Sequence, residues 1–441
     1  MVVLRTALAI FVPLRAFAQG QTLTLNDAIN LAETHNRALQ VAKLDQRKAA
    51  DEASVARSYR LPSFSSTALG SQPFSQLGLT FPRGSLGTYP NVGPIPGKTT
   101  TLRGPLKLSG IFFANITQPL AQQWKIGLQA QFASVGQRIS EQQVRATRQA
   151  TVNDVRRLYY GILQAESGKK NLQATVEFLS ELDRNTKQDE LQRVALHADV
   201  LNVQAQLAQA EYDLLKLEDP LETQKQQLNR LMGRDVNTPF EVDPLSVADA
   251  AVPDPQEACA RALASRPEIL QARSRVEQAK LGRKIANADR IPDIGLSATA
   301  VETVNLSNIL PNSFVSAGIQ MNWDVFDWGR KRKKVEEARL SEEQASLQLK
   351  DAEAAVIIDV THRYRELAEA KKEVEVATRL QTAAKESVRV TRNQYMQKAA
   401  LTSDLLKAES GLAEAAHRVT GALLDLATTQ ADLEKAIGED P

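Results

Sequence analysis

The chain has 441 residues and a formal net charge of +2, from 54 Lys+Arg against 52 Asp+Glu, which predicts no polyanion partner such as nucleic acid. Aromatic residues make up only 5% while Ala, Leu, Gln, Glu, Lys and Arg abound, a bias toward long helices or coiled coil rather than a compact enzyme core. A single cysteine, Cys259, excludes a disulfide framework; His35, His197, His362 and His417 are too scattered for a metal cluster; and no apolar run of about 18 residues suggests a transmembrane helix.

Residues 1–18 read as a secretory signal. Arg5 supplies the basic start, Thr6 to Leu14 a short apolar core, and Ala16-Phe17-Ala18 a small-residue cleavage site before Gln19. No cysteine follows that core, so a lipid anchor is not expected there. Then comes the helical stretch DAINLAETHNRALQVA at 27–42, and at Leu61-Pro62 the helical pattern stops and a strand begins. Residues 70–105 have the Gly, Pro, Ser and Thr content of a loop. A second strand follows near 108–117. From about residue 125 to about 193 there is no proline, so a helix there would reach on the order of 100 Å.

The chain is written twice. At an offset of 230, Ala28 falls on Ala258, Ala32 on Ala262, Leu39 on Ile269 and Pro62 on Pro292. Past the strands the offset becomes 205: Tyr159 meets Tyr364, Asp199 meets Asp404, Leu228 meets Leu433 and Gly233 meets Gly438. The difference places 25 extra residues in the first copy's loop, where insertions are tolerated. The expected organisation is a signal at 1–18, a first repeat at 19–240, a proline-bearing linker at 241–256 and a second repeat at 257–441. Each repeat reads helix, strand, loop, strand, long helix, turn, long helix.

The last helix of each repeat carries a coiled-coil seam. In the first, Leu207, Leu214, Leu221 and Leu228 alternate with Val203, Ala210 and Leu217. In the second, Leu412, Val419, Leu426 and Leu433 alternate with Ala408, Ala415 and Ala422. Pro220 predicts a kink near the end of the first seam.

The strands suit a membrane. Over 314–326, Val315, Ala317, Ile319, Met321, Trp323 and Val325 alternate with Ser316, Gly318, Gln320, Asn322 and Asp324. The stretches near 294–301 and 108–117 alternate likewise, and the one near Phe64 does so most weakly. The apolar faces carry no charge through these cores, where Lys or Arg would cost roughly 2–4 kcal/mol at a bilayer midplane. Trp323, Trp328 and Trp124 stand near the ends of the second strands, where interfacial aromatics rest. The run GRKRKK at 329–334 follows a strand end and reads as a solvated basic collar. Four strands cannot close a barrel in lipid, and closure takes about eight or more, so copies must share one. Strand count leaves two chains or three open.

In LNDAINLAETHNRAL, the two strand-opening prolines, ITQPLAQQWK with WDVFDWGRK, LYYGILQAE, ADVLNVQAQLAQAEYDL and LNRLMGRDVNTPFEV, the chain resembles the TolC-like outer-membrane efflux family. The likeness covers nearly the whole chain after the signal, and the order and duplication of the motifs carry it. It implies an α+β membrane protein: a long α-helical coiled-coil barrel plus a shared transmembrane β-barrel, two internal repeats per chain, assembled as a homotrimer with twelve strands. It also implies outer-membrane lipid as surroundings, with a periplasmic adaptor protein and an inner-membrane pump as partners.

In that family the periplasmic end of the tunnel narrows to an aperture. The resemblance places Tyr395, Asp404 and, in the first copy, Asp199 there. The family's glycine falls on Arg193 and Lys398, and its second aperture carboxylate on Lys407, so a less acidic gate is expected. The adaptor-docking tips would be Arg193, Val194, Ala195 and Leu196 in one turn and Lys398, Ala399, Ala400 and Leu401 in the other. Nothing in the chain has the spacing of a phosphate loop, a catalytic triad or a metal site, so no enzyme activity and no cofactor are expected. The expected role is a passive exit duct in a tripartite export system, for small molecules or for type I secreted proteins. A soluble periplasmic coiled-coil scaffold is the alternative.

Overall fold

The computed structural model describes residues 22–76, 78–104, 106–193, 195–243, 254–306, 312–397 and 399–439. The signal-like segment 1–18 and most of the linker 241–256 lie outside the described residues. The first repeat contains β1 (Thr22–Leu23), α1 (Leu25–His35), α2 (Arg37–Ser58), β2 (Ser63–Ser71), β3 (Gly78–Phe81), β4 (Thr88–Tyr89), β5 (Gly93–Pro94), β6 (Thr100–Arg103), β7 (Ser109–Pro119), α3 (Gln123–Leu191), α4 (His197–Leu231) and β8 (Glu241–Val242). The second contains α5 (Pro255–Ser265), α6 (Pro267–Ala288), β9 (Asp293–Val304), β10 (Ser313–Asn322), α7 (Arg330–Met396) and α8 (Thr402–Ile437). Helices α3 and α7 have 69 and 67 residues. No helix of the described residues is long and apolar enough to cross a membrane.

The repeats are not the compact units of the fold. One unit takes residues 1–45, 141–271 and 349–441, the other 46–140 and 272–348. Each draws on both repeats because strands and helices of one copy pair with those of the other.

In the strand-bearing unit, a four-stranded antiparallel sheet runs in the order β10-β9-β7-β2. The two repeats meet at β7 and β9, from Gly110↔Val304 to Pro119↔Gly295. Both helix-to-strand changes are built alike. Leu61 donates to the Ser58 carbonyl at 2.9 Å and Ile291 to the Ala288 carbonyl at 3.0 Å, one tight last turn in each case. Pro62 and Pro292 follow, without an N–H to continue a helix, and the strands begin at the next residue. The alternation read as far as Phe326 is cut short: β10 ends at Asn322, paired with Asp293, because β9 offers no residue before its proline.

The loop read at 70–105 contains more order than its composition suggested. β2 runs on to Ser71, and the connection holds two small antiparallel pairs, β3 with β6 and β4 with β5. Turn glycines permit this. Gly87, at φ 107°, lies against the Tyr89 ring, in backbone that L side chains rarely adopt. The helical part of this unit packs Leu128, Val135 and Leu281 together, with Lys125–Asp289 (2.5 Å) and Arg138–Glu277 (2.6 Å) as ion pairs.

Among the described residues the helical unit has three apolar clusters. The first surrounds Tyr159, whose hydroxyl donates to the Leu23 carbonyl at 2.8 Å and accepts from the Asp243 N–H at 3.0 Å. This fastens the parallel pair β1–β8 to α3. The second joins α5, α6, α7 and α8 around Val360 and Leu433. The third lies near the long-helix turns. All seam residues of α4 and α8 are buried or half-buried, as the heptads require. α4 continues through Pro220, which stands exposed, so the lost hydrogen bond falls on the solvent side.

The first helix of each repeat is broken once, which periodicity alone does not reveal. Asn36 has φ −59° and ψ 125°, and Arg266 has φ −61° and ψ 130°. At Arg266 the following Pro267 pushes the backbone out of the helical region. At Asn36 the side chain does the work, its Oδ1 accepting from the Leu39 N–H at 3.0 Å. Both residues also reach equivalent carbonyls at the end of the repeat: Asn36 Nδ2 to Leu231 at 2.9 Å, Arg266 Nη1 to Ala436 at 3.5 Å. The left-handed glycines Gly233 (φ 71°) and Gly438 (φ 83°) pack on the same two breaks.

Candidate functional site: the long-helix turns

The α3–α4 and α7–α8 turns are copies of one design. Asp199 Oδ2 accepts from the Leu196 backbone N–H at 3.2 Å, and Asp404 Oδ2 from the Leu401 N–H at 3.3 Å. Each aspartate is the third residue of its helix and reaches back to cap the start, half of a capping box, since a leucine cannot return the bond. Both aspartates therefore have a structural role beside any role in a pore. Asp199 is half-buried and Asp404 exposed.

The chain reverses at Arg193 with φ 58°, in the left-handed region that favours glycine. The Arg193 N–H donates to the Glu190 carbonyl at 2.8 Å and the Ala195 N–H to the Asp189 carbonyl at 3.3 Å. In the second turn the Ala399 N–H donates to the Gln394 carbonyl at 2.8 Å. Val194 and Lys398 lie outside the described residues. Leu196 and Leu401 are largely exposed, Ala399 is exposed and Ala195 and Ala400 are half-buried, so both tips present apolar surface.

Behind the tips the two hairpins meet. Leu179 and Leu182 of α3, Val203 and Ala210 of α4 and Leu405 and Leu406 of α8 form one buried cluster, and Tyr395 of α7 packs against it. Tyr395 is thus placed by packing and is half-buried, while Lys407 is exposed. Ion pairs pin the surroundings: Arg392 with Glu409 at 2.8 Å, and His197 with Glu190 at 2.7 Å when the imidazole is protonated. Above this cluster α3, α4 and α8 line a groove of about 1080 Å³, with Gln164, Gln206, Gln209 and Glu409 among its polar lining residues.

A second polar cluster escaped the sequence reading. Asp432, 6% exposed, accepts from Asn153 Nδ2 at 2.9 Å, from Arg157 through Nε and Nη2, and from Arg363 Nη1 at 3.1 Å. One carboxylate on α8 thereby holds α3 and α7, helices from different repeats. Its hydrogen bond raises the Arg157 pKa above the usual arginine value against the desolvation that would lower it. One pattern hinted at it: Asp432 stands beside the seam residue Leu433, where a charge requires a partner. Nearby, burial first and then Glu366, Asp432 and Glu369 push the Asp425 carboxyl above the usual range.

In the strand-bearing unit, Trp323 directly follows β10, Trp328 has φ 56° just before α7, and Trp124 is the second residue of α3. All three are more than half exposed. Phe326 and Trp328 stack edge to face with centroids 4.8 Å apart. Arg330 of the basic run pairs with Asp324 at 3.1 Å. Among the described residues no group of His, Cys, Asp and Glu is arranged to hold a metal ion.

The chain shares its fold with solved outer-membrane channels. The Campylobacter jejuni CmeC outer membrane channel superposes with a TM-score of 0.79 at 16% identity, over 94% of this chain and 85% of that one. The outer membrane protein VceC of Vibrio cholerae gives 0.75 at 17% identity, over 94% and 96%. The MtrE outer membrane channel of Neisseria gonorrhoeae gives 0.75 at 18%, over 94% and 89%. No curated protein matches the chain. The sequence profile of the outer membrane efflux proteins matches residues 28–234 and 258–439, one segment per repeat, and the chain belongs to that family of channel proteins, which are not enzymes.

Proposed function

We propose that the chain is the outer-membrane exit duct of a tripartite export system. Three copies join their sheets into one twelve-stranded barrel in the outer membrane, and their helices form a tunnel through the periplasm. The observation that carries this reading is the sheet. Among the described residues β2 and β10 are its edges, each with a single strand partner, and every residue of both is exposed. Lipid cannot satisfy such edges, whereas a second and third copy can. An alternating strand with lipid on one side and a water-filled lumen on the other has no need of a buried face.

In this reading Trp323, Trp328 and Trp124 sit at the membrane interface, and Pro62 and Pro292 mark where helix in water gives way to strand in lipid. The chain supplies no energy, so an inner-membrane pump and a periplasmic adaptor act with it, the adaptor docking on the apolar tips around Leu196 and Leu401. The cargo is small molecules, with type I secreted proteins as the other class such a duct serves. Asp404 and Asp199 from three copies form carboxylate rings that favour cations. Lys407 and the basic residues Arg193 and Lys398 moderate them.

The test is assembly and conduction. Purified in detergent, the chain should have the mass of three copies and should conduct ions in planar bilayers. Asp404→Ala should weaken cation preference or raise conductance, and unchanged selectivity and conductance would remove Asp404 from the gate. A monomer in plain buffer that ignores lipid vesicles would overturn the duct itself and leave the soluble scaffold.

A further inference from the structure

The near-neutral net charge hides a local segregation. From Ala53 to Ser140 the chain has no Asp or Glu, yet eight Lys and Arg. Four of these, Arg83, Lys98, Arg103 and Lys107, fall in the connection between β2 and β7. The corresponding connection between β9 and β10, residues 305–312, reads NLSNILPN and has no charge.

The connection is built, not slack. β3 pairs with β6 from Gly78↔Arg103 to Phe81↔Thr100, and this register continued brings residue 83 opposite residue 98. The Gly84 N–H donates to the Pro96 carbonyl at 3.0 Å and the Leu86 N–H to the Ile95 carbonyl at 3.0 Å, closing the tip. Gln72 Nε2 donates to the Leu106 carbonyl at 3.3 Å and ties the base. Arg83 and Lys98 thus flank one end of the ladder, while Arg103 stands at the other end and Lys107 near the base; all four are exposed. Between them stand apolar side chains that also face solvent: Phe74 at 96% exposure, Val92 at 72%, with Leu86, Tyr89 and Leu106.

The connection leaves the sheet at Ser71↔Ser109, the end opposite the prolines and helices. If the sheet spans the outer membrane, as proposed above, this is the external rim. Cations at the headgroup level with aromatic and aliphatic side chains among them match a phosphorylated lipid better than a soluble anion, which has no use for Phe74 or Val92.

We propose that this connection is a docking surface for the phosphate groups of outer-leaflet glycolipid. Arg83, Lys98, Arg103 and Lys107 bind the phosphates, and the exposed apolar residues enter the boundary with the acyl chains. The first repeat alone thereby anchors the rim of the duct, and its 25-residue excess acquires a purpose.

The experiment is a titration of the full-length detergent-solubilised assembly with diphosphorylated lipid A, bound lipid being counted by native mass spectrometry. The quadruple variant Arg83→Gln, Lys98→Gln, Arg103→Gln, Lys107→Gln should bind at least about tenfold more weakly, and wild-type binding should fall with salt. The variant Arg332→Gln, Lys333→Gln, Lys334→Gln removes charge from the opposite end of the sheet and should bind as wild type. If the quadruple variant does not assemble, the pair Arg103→Gln, Lys107→Gln is read instead, with a several-fold loss expected. Equal binding by the loop variants, equal binding of dephosphorylated lipid A, or displacement by inorganic phosphate at the same concentration would each overturn the proposal. Any of these with wild-type conductance intact leaves the duct standing, whereas a wild-type chain that does not conduct fails the duct reading first.

Discussion

The two repeats end on the same device in different materials. In the first, a Cβ added at Gly233 would fall on the backbone carbonyl of His35. In the second, a Cβ at Gly438 would stand 2.7 Å from the Ser265 hydroxyl oxygen and 3.0 Å from the Arg266 nitrogen. Both glycines occupy left-handed backbone and both press against the break in the first helix. The difference lies in what they meet, a fixed main chain in one copy and a rotatable hydroxyl beside a main-chain nitrogen in the other. Duplication kept the backbone path and let the neighbours change.

That comparison is open to attack by substitution. Gly233→Ala should cost at least about 4 kcal/mol, from left-handed strain plus a backbone overlap that cannot relax, whereas Gly438→Ala should cost about 2 kcal/mol because Ser265 can turn away. Denaturation midpoints of the two variants in the same detergent decide it, and equal losses would break the distinction. Asp432→Ala comes next, at about 3 kcal/mol, because two arginines lose a buried carboxylate, although both keep some access to water. Its counterpart Gln227 is exposed, and Gln227→Ala should change almost nothing. Asp199→Ala and Asp404→Ala should each cost about 1 kcal/mol through the lost cap, whatever their effect on conductance. A stability loss in only one of them would show that the two turns are not equivalent.

The smallest effect is expected at Asp425. The folded state holds this proton more tightly than the unfolded chain, so ionisation at neutral pH opposes folding. Asp425→Asn should therefore stabilise by less than about 0.5 kcal/mol at pH 7, the side chain being largely solvated. The gain should vanish as the pH falls below the ordinary carboxylate range, because the wild-type group is then protonated in both states. A gain that persists at low pH would place its origin outside the charge.

Much of this fold could be read from the residues because its determinants are local and duplicated. The seams at Leu207 to Leu228 and Leu412 to Leu433 have heptad spacing, and Pro62 and Pro292, each just past a last helical turn, lack the N–H that a continuing helix would need. What was not legible depends on partners distant in sequence. The tie from the Asn36 bend to the end of its repeat needs the Leu231 carbonyl, and Asp432 needs Asn153 and Arg157, more than 270 positions away. The small ladders after β2 rest on glycine geometry that composition shows only as loop. At the turns the family resemblance supplied the residues, but the capping of Leu196 and Leu401 by the aspartates is a matter of where a side chain reaches.

One consequence of the open sheet concerns supply. If the sheet lies in the outer membrane as proposed, a lone subunit bearing two unsatisfied borders has no comfortable resting place in hydrocarbon, so burial in the bilayer and association belong to a single event. Under the three-copy reading, the yield of finished ducts rises as the cube of free subunit at low abundance, and modest changes in synthesis act on export capacity steeply.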